Sequence, residues 1–243
     1  FLWFATQNGL NRYDGYQFTV YTHDPEDPTT ISDNVIFALH LASDGALWVG
    51  TRNGGLNRLD RSTDTFTNYR HSPLDPDSLS HDTVHAIAAD ADGNVWVGTT
   101  EGLNRLDRVT GTFTRYLHDP EDPRSLAADR VNSVTADRDG SIWVGTVSGL
   151  CRFDASTDSF ACFRHSPEDR ATLSGDFVTA LFEDSRGVLW AGTATGLNAI
   201  DPTTGAVVRY QAEPGNPHAI SGDVIQSVFE DREGGLWVGT RHA

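Results

Sequence analysis

Short stretches in which apolar and polar residues alternate recur along the chain, and turn residues separate them. Alternation with a period of two is typical of β-strands, and Asp-Gly pairs favour tight reversals between strands. Between Val84 and Leu117 four such stretches follow one another, with Asp92-Gly93 after the first. We predict four strands here, named a to d: Val84 to Ala89, the stretch that carries Trp96, Leu103 to Asp107, and Thr112 to Leu117.

The pattern repeats through the whole chain, and tryptophan marks its phase. The six tryptophans are separated by 45, 48, 47, 47 and 47 residues, each in a predicted strand b. They are Trp3, Trp48, Trp96, Trp143, Trp190 and Trp237. A period of this length with four strands in each unit is typical of propeller blades.

Proline-rich connectors separate the repeats. Nine of the ten prolines lie in these connectors, which is expected because proline cannot donate a ladder hydrogen bond. We predict partial blades at 1–22 and 224–241, and four blades at 34–70, 83–117, 130–164 and 177–211.

The predicted sheets are apolar on both faces. In the third repeat Leu103 and Tyr116 fall on one side of the sheet, whereas Leu106 and Phe113 fall on the other. A sheet that is apolar on both sides must be packed on both sides, and stacked blades achieve this. The sequence therefore predicts an all-β propeller of about five antiparallel four-stranded repeats of roughly 47 residues, with the tryptophans filling the space between blades.

Charge excludes some classes of partner. The net charge of −16 leaves no basic stripe for a nucleic acid backbone or an anionic membrane surface. Apolar runs are too short for membrane insertion, and no charged-then-apolar leader opens the sequence. We expect a soluble chain, with any targeting segment lying outside it.

The repeat resembles that of the two-component regulator propeller family. The residues that carry the resemblance run from Asp90 to Asp107 and read Asp-Ala-Asp-Gly-Asn-Val-Trp-Val-Gly-Thr-Thr-Glu-Gly-Leu-Asn-Arg-Leu-Asp, followed by Phe113 and Tyr116. The connector from His118 to Leu126 is similar to that of the same family.

The resemblance implies the periplasmic sensor region of a membrane receptor. Such receptors usually carry two seven-bladed propellers, a small β-sandwich, a membrane helix and a cytoplasmic histidine kinase or diguanylate cyclase. It further implies an oligosaccharide or other small ligand, and it leaves a homodimer open. Both ends of the sequence fall in a strand b, so we expect an excerpt of a larger ring.

Two other readings stay open at this point. A five-bladed lectin with repeats of similar length would also bind carbohydrate. A propeller lyase or glycosidase would need catalytic residues at positions that break the repeat, and no such residue stands out. We therefore predict a binding protein without a cofactor, a metal site or catalytic residues.

The two cysteines are too few for a metal cluster. In the predicted c–d hairpin of the fourth repeat, Cys151 and Cys162 fall directly opposite one another on adjacent strands. This position is compatible with a disulfide, which would suit an oxidising compartment, and equally with two buried thiols.

Two recurring polar positions favour structural roles, since a residue that serves one chemical step should appear once. A histidine ends strand d in four repeats: His23, His71, His118 and His165. An acidic or amide side chain stands fourteen residues before five tryptophans, and we expect it to bind backbone amides at the entry to strand a. These residues are Asn34, Asp82, Asp129, Asp176 and Asp223.

Positions that differ between repeats are the candidates for ligand contact. One set lies in the innermost strand, eleven residues before the tryptophan: Phe37, His85, Asn132, Thr179 and Gln226. A second set lies in the b–c loops: Arg52, Asn53, Glu101, Ser148 and Thr195. Propeller ligands usually meet loops and channel-facing residues on one face, which is why we select these two sets.

Overall fold

The computed structural model of the chain describes residues 1–241, which form 21 β-strands. The strands make six antiparallel sheets, four of them with four strands. We call these sheets blades 1 to 6 in chain order. The all-β class and the four-stranded antiparallel units are confirmed, whereas membership of a seven-bladed ring stays a prediction.

The chain divides into two compact halves, and each is described separately. The first half is Phe1–Tyr116 and contains blades 1 to 3. Blade 1 comprises β1 (Leu2–Thr6), β2 (Gly9–Tyr13) and β3 (Phe18–Tyr21). Blade 2 comprises β4 (Ile36–Leu41), β5 (Leu47–Thr51), β6 (Leu56–Asp60) and β7 (Thr65–Tyr69). Blade 3 comprises β8 (Val84–Ala89), β9 (Val95–Thr99), β10 (Gly102–Leu106) and β11 (Phe113–Tyr116).

The second half begins at Leu117 and contains blades 4 to 6. Blade 4 comprises β12 (Val131–Ala136), β13 (Ile142–Thr146), β14 (Gly149–Asp154) and β15 (Ser159–Phe163). Blade 5 comprises β16 (Val178–Glu183), β17 (Leu189–Thr193), β18 (Gly196–Ile200) and β19 (Val207–Tyr210). Blade 6 comprises β20 (Val224–Glu230) and β21 (Leu236–Arg241).

The cores of each half lie between neighbouring blades. In the first half, Trp48 of blade 2 packs with Val84, Leu106 and Phe113 of blade 3. In the second half, Trp143 of blade 4 packs in the same way with Leu189 and other apolar residues of blade 5. Tryptophan on one blade therefore meets the aliphatic face of the next, as the sequence predicts.

The six tryptophans are not equally buried. Trp48, Trp96, Trp143 and Trp190 are buried, and Trp3 is half-buried against the core between blades 1 and 2. Trp237 departs from the predicted core placement, because its side chain is 66% exposed. It lies on the face of blade 6 that no other sheet of the second half covers within the described residues.

A hydrogen-bonded clasp closes each connector and explains the recurring histidine and aspartate positions. The backbone amide of His118 donates to Asp129 at 2.7 Å, and His118 Nδ1 lies 2.6 Å from the carbonyl oxygen of Leu126. The clasps at His23, His71 and His165 have the same form. The aspartates thus bind a backbone amide, but it belongs to the end of strand d and not to the entry of strand a, since the connector folds back on itself.

Cys151 and Cys162 form a disulfide between β14 and β15, where they are direct partners in the ladder. This confirms the predicted register and selects the bonded alternative over two free thiols. No helix within residues 1–241 is both long and apolar enough to cross a bilayer.

Candidate functional site

Each complete innermost strand contains a β-bulge, and the bulge falls at the position chosen from the sequence. The ladder between strands a and b skips one residue in blades 2 to 6. The skipped residues are Phe37, His85, Asn132, Thr179 and Gln226. Bulges redirect side chains and are common beside functional sites, so these residues are released from the regular alternation of the sheet.

The b–c loops lie at the same edge of the blades as the bulges. The amide of Arg52, just after strand b, donates to the carbonyl of Val35, just before strand a, at 2.9 Å. Equivalent bonds join Thr100 to Thr83 in blade 3 and Val147 to Arg130 in blade 4. The two candidate sets, chosen independently, therefore meet at one edge of each blade, which we call the b–c edge.

In the first half, the bulge residues form an aromatic pair. The rings of Phe37 and His85 are stacked, with centroids 5.7 Å apart and an interplanar angle of 11°. His85 Nε2 lies 3.1 Å from the hydroxyl oxygen of Thr100 in the adjacent b–c loop. Phe37 is 45% exposed, so part of its ring remains available to a ligand.

The b–c loops of the first half expose polar side chains to solvent, and hydrogen bonds hold the backbone at Asn53. Arg52, Asn53 and Glu101 are exposed. The main chain of Asn53 is held at both ends, because its amide donates to Asp33 at 2.8 Å and its carbonyl accepts from Arg70 at 3.0 Å. A loop held in this way presents its side chains at little entropic cost on binding.

In the second half, two bulge side chains are used to join blades. Asn132 Nδ2 donates to the carbonyl oxygen of Val178 at 2.9 Å, and the hydroxyl of Thr179 donates to that of Ile225 at 2.6 Å. These bonds reach the innermost strand of the next blade and occupy donors that a ligand would otherwise use. Gln226 is exposed.

The second-half loop candidates offer fewer available polar groups than those of the first half, although Thr195 is exposed. Ser148 is half-buried, and the hydroxyl of Thr195 donates to the carbonyl oxygen of Ser174 at 2.7 Å. Sequence comparison of the repeats missed Phe177, which is 42% exposed and accepts the b–c loop bond from Ala194 at its carbonyl. The residue type just before strand a differs from repeat to repeat, and comparison of that position would have identified Phe177.

Clefts lie at the opposite edge of the blades, beside the a–b and c–d turns. A cleft of about 330 Å³ in the first half is lined by Trp48, Arg58 and Tyr69 together with turn residues of blade 3. One of about 510 Å³ in the second half lies between the two turns of blade 4, beside Arg152. Sequence reasoning did not select this edge, because its turn residues follow the repeat.

The comparisons with known proteins give the family. Residues 37–174, more than half of the chain, match the sequence model of the SMP-30/gluconolactonase/LRE-like region, and the chain belongs to that family. Residues 172–195 and 219–242 match the model of the two component regulator propeller, which confirms the resemblance of the repeat to that family.

Two solved structures share the fold. The extracellular domain of the hybrid two component system BT3049 from B. thetaiotaomicron superposes with a TM-score of 0.74 at 24% identity, over 98% of this chain and 37% of that chain. Virginiamycin B lyase from Staphylococcus aureus has a TM-score of 0.68 at 13% identity, over 96% of this chain and 70% of that chain. At these identities the likeness shows a β-propeller fold alone.

One curated relative matches a short segment. Histidine kinase P4 of Formosa agariphila is 52% identical over 31 residues, which are 13% of this chain and 2% of that protein. The chain thus spans less than two thirds of the length of this relative and of the BT3049 domain.

Proposed function

We propose that this chain is the ligand-sensing propeller module of an extracytoplasmic, two-component-type receptor, and that it binds an oligosaccharide at the b–c edge without catalysing a reaction. One observation carries the site. The residue skipped by the ladder differs in all five bulged strands, whereas the residue before it is always Ile or Val. Variation at a position that the ladder skips is expected where side chains are selected by a ligand.

The chemistry of the first-half b–c edge suits a carbohydrate. The Phe37 and His85 pair offers an aromatic surface for the apolar face of a sugar ring. Arg52 and Glu101 are exposed beside it and supply a donor and an acceptor for hydroxyl groups. An apolar surface with a few polar groups is the usual composition of a small-molecule site.

Exposed apolar faces support attachment to the remainder of a receptor. In the second half, Phe229 and Trp237 are ladder partners on blade 6 and are 59% and 66% exposed. In the first half, Leu2 and Phe4 of blade 1 are 61% and 43% exposed. We propose that further blades cover these faces, and that a β-sandwich, a membrane helix and a kinase or cyclase follow, with dimerisation of the receptor left to experiment. The match to a histidine kinase supports this assignment.

Calorimetric titration with a panel of defined oligosaccharides tests the ligand and its site. For a glycan that binds, we expect Phe37→Ala and Glu101→Ala each to weaken the affinity about tenfold, which corresponds to about 1.4 kcal/mol. Val109→Ala is the matched control, since Val109 is 96% exposed at the opposite edge. Unchanged affinity in both b–c edge variants would contradict the proposed binding site. If no oligosaccharide in the panel binds, the proposal of a glycan ligand is wrong.

A catalytic function is the second candidate, favoured by the match to the gluconolactonase-containing family over residues 37–174 and by the likeness to virginiamycin B lyase. The two functions are separated by incubating the protein with gluconolactone and following acid release in a pH-stat. Turnover above the uncatalysed rate would replace the sensor assignment with an enzyme.

A further inference from the structure

In blade 3, one side chain on strand c and one on strand d fasten the incoming connector. Asn104 Oδ1 accepts the amide of Ser80 at 2.8 Å, and Asn104 Nδ2 donates to the hydroxyl of Ser80 at 2.8 Å. Arg115 Nε donates to the carbonyl of Ser78 at 2.8 Å, and its terminal nitrogen donates to that of Asp75 at 2.7 Å. The connector is thereby tied to its blade by charged and neutral hydrogen bonds.

Blade 5 repeats this fastening with the same residue types. Asn198 Oδ1 accepts the amide of Ser174 at 2.7 Å, and Asn198 Nδ2 donates to its hydroxyl at 3.0 Å. Arg209 donates to the carbonyls of Thr172 and Asp169, both at 2.6 Å. Blade 2 uses a variant in which Asn57 and Asn68 take the two positions.

Blade 4 replaces all three side chains of this network at once. Cys151 stands at the asparagine position, Cys162 at the arginine position and Ala127 at the serine position. Of the bonds that this network makes in blade 3, one has a counterpart in blade 4, from the amide of Ala127 to Cys151 Sγ at 3.3 Å. The connector is also held by the amide of Phe160, which donates to the carbonyl of Arg124 at 2.8 Å, and by Arg164, which donates to the carbonyl of Ala127 at 3.4 Å. Cys162 Sγ lies 3.6 Å from the carbonyl oxygen of Ser125, but a sulfur in a disulfide carries no proton to donate.

We propose that the Cys151–Cys162 disulfide is a redox-controlled fastening of the incoming connector of blade 4, residues 118–129, and that a dithiol reductant opens it. A thiolate of the dithiol attacks Cys162 Sγ, the bond to Cys151 breaks, and Cys151 leaves as a thiolate that takes up a proton. The second thiolate of the dithiol then displaces Cys162, so two protein thiols and one oxidised dithiol result. Cys162 is the half-buried partner, whereas Cys151 is fully buried, so attack at Cys162 is favoured.

Reduction acts on blade 4 alone because the other blades hold their connectors with groups that do not respond to redox conditions. After reduction, the connector keeps its histidine clasp, the bonds from Phe160 and Arg164, and one hydrogen bond to a thiol, but it has no counterpart of the bonds that the side-chain nitrogens of Asn104 and Arg115 donate in blade 3. The c–d hairpin also loses its covalent bridge. We expect loosening of residues 118–129 and of β15, with the connectors at 72–80 and 166–174 as internal controls.

Hydrogen exchange followed by mass spectrometry, with and without dithiothreitol, tests the proposal on the folded chain. We expect amides in 118–129 to exchange at least tenfold faster after reduction, while amides in 72–80 and 166–174 change less than twofold. Trypsin provides a second readout, because Arg124 lies exposed in this connector. Cleavage after Arg124 should accelerate with reduction.

A matched triple variant rebuilds the hydrogen-bonded fastening: Ala127→Ser, Cys151→Asn and Cys162→Arg. In this variant, the amides of residues 118–129 should exchange slowly both with and without dithiothreitol. In the variant Cys151→Ser, Cys162→Ser, the same amides should exchange fast under both conditions. The proposal is overturned if exchange in 118–129 is the same before and after reduction, if all three connectors accelerate together, or if the bond in the folded protein resists dithiothreitol.

Discussion

Trp48 has a buried indole N–H that no acceptor satisfies within residues 1–241, and the reason is a single residue. In the other blades with an a–b turn, an aspartate six residues earlier accepts this hydrogen bond. The pairs are Trp96 with Asp90 at 2.9 Å, Trp143 with Asp137 at 2.9 Å, Trp190 with Asp184 at 3.0 Å, and Trp237 with Asp231 at 2.6 Å. In blade 2 the position holds Ala42.

The backbone of blade 2 is already arranged for the missing aspartate. The amide of Ala42 donates to the carbonyl of Ala46 at 2.9 Å, and the amide of Gly45 donates to that of Ala42 at 2.9 Å. The equivalent bonds around Asp90 are 3.1 Å and 3.0 Å. Ala42→Asp therefore places a carboxylate beside the indole without a change in the turn.

We expect Ala42→Asp to stabilise the fold by about 1 to 2 kcal/mol. An unpaired buried donor costs about 1 to 3 kcal/mol, and a hydrogen bond to a charged acceptor is worth about 1.5 to 3 kcal/mol. Burial of the new carboxylate removes part of this gain. In a chain of this size the melting temperature should rise by about 2 to 8 °C, measured by calorimetry or circular dichroism.

Two further variants identify the cause. Asp137→Ala creates the same unpaired indole at Trp143 and also removes the acceptor of the Ser141 amide, so it should destabilise by roughly 2 to 4 kcal/mol. In a Trp48→Phe background, Ala42→Asp should bring no gain. A melting temperature of Ala42→Asp at or below that of the unmodified protein, with Asp137→Ala destabilised as expected, would refute the reasoning.

The remaining predictions concern burial, a polar core residue and pH. Trp143→Ala should cost about 3 to 5 kcal/mol in urea unfolding, whereas Trp237→Ala should cost much less because that indole is 66% exposed; equal costs would contradict the packing. Asn104→Ala should cost about 2 to 4 kcal/mol by the same measurement, since it leaves the amide of Ser80 unpaired, and a neutral effect would count against the connector fastening. Burial opposes ionisation of Asp184, but hydrogen bonds from Trp190, Arg186 and backbone amides outweigh it and lower the pKa to about 2. Because this folded-state pKa is depressed, the stabilisation is complete above about pH 4 and is lost as the pH falls towards 2; Asp184→Asn should flatten that part of a plot of melting temperature against pH.

The length of the repeat and the fixed position of tryptophan within it made much of the fold predictable. Alternation and the Asp92-Gly93 turn that follows it predict strand a of the third repeat at Val84 to Ala89, and the structure has the strand there. The pairing of Cys151 with Cys162 followed from the centre of a short hairpin. Both depend only on neighbours in sequence.

The features that sequence did not give depend on distant partners or on single skipped residues. The bulges leave no recognisable pattern in the sequence, because the skipped residue has no fixed type. The bond from Asn132 to the carbonyl of Val178 is likewise visible only once the strands are placed. The sequence predicts that the clasp aspartates bind backbone amides. It does not identify the amide at the end of strand d, because that partner depends on how the proline-rich connector turns back. The exposure of Trp237 depends on whether a sheet covers it, which spacing alone does not determine.

The bulges separate two requirements that a sensor must meet. A residue in a regular ladder must suit the sheet, so a change there alters stability and recognition together. A skipped residue has no ladder partner to suit, and where its side chain does not join two blades, as at the exposed Phe37 and Gln226, its identity can change while the ladder around it stays the same. A library randomised at Phe37 and Gln226 would therefore explore new specificities on a constant framework, and the same route is open to natural divergence of receptors built from this repeat.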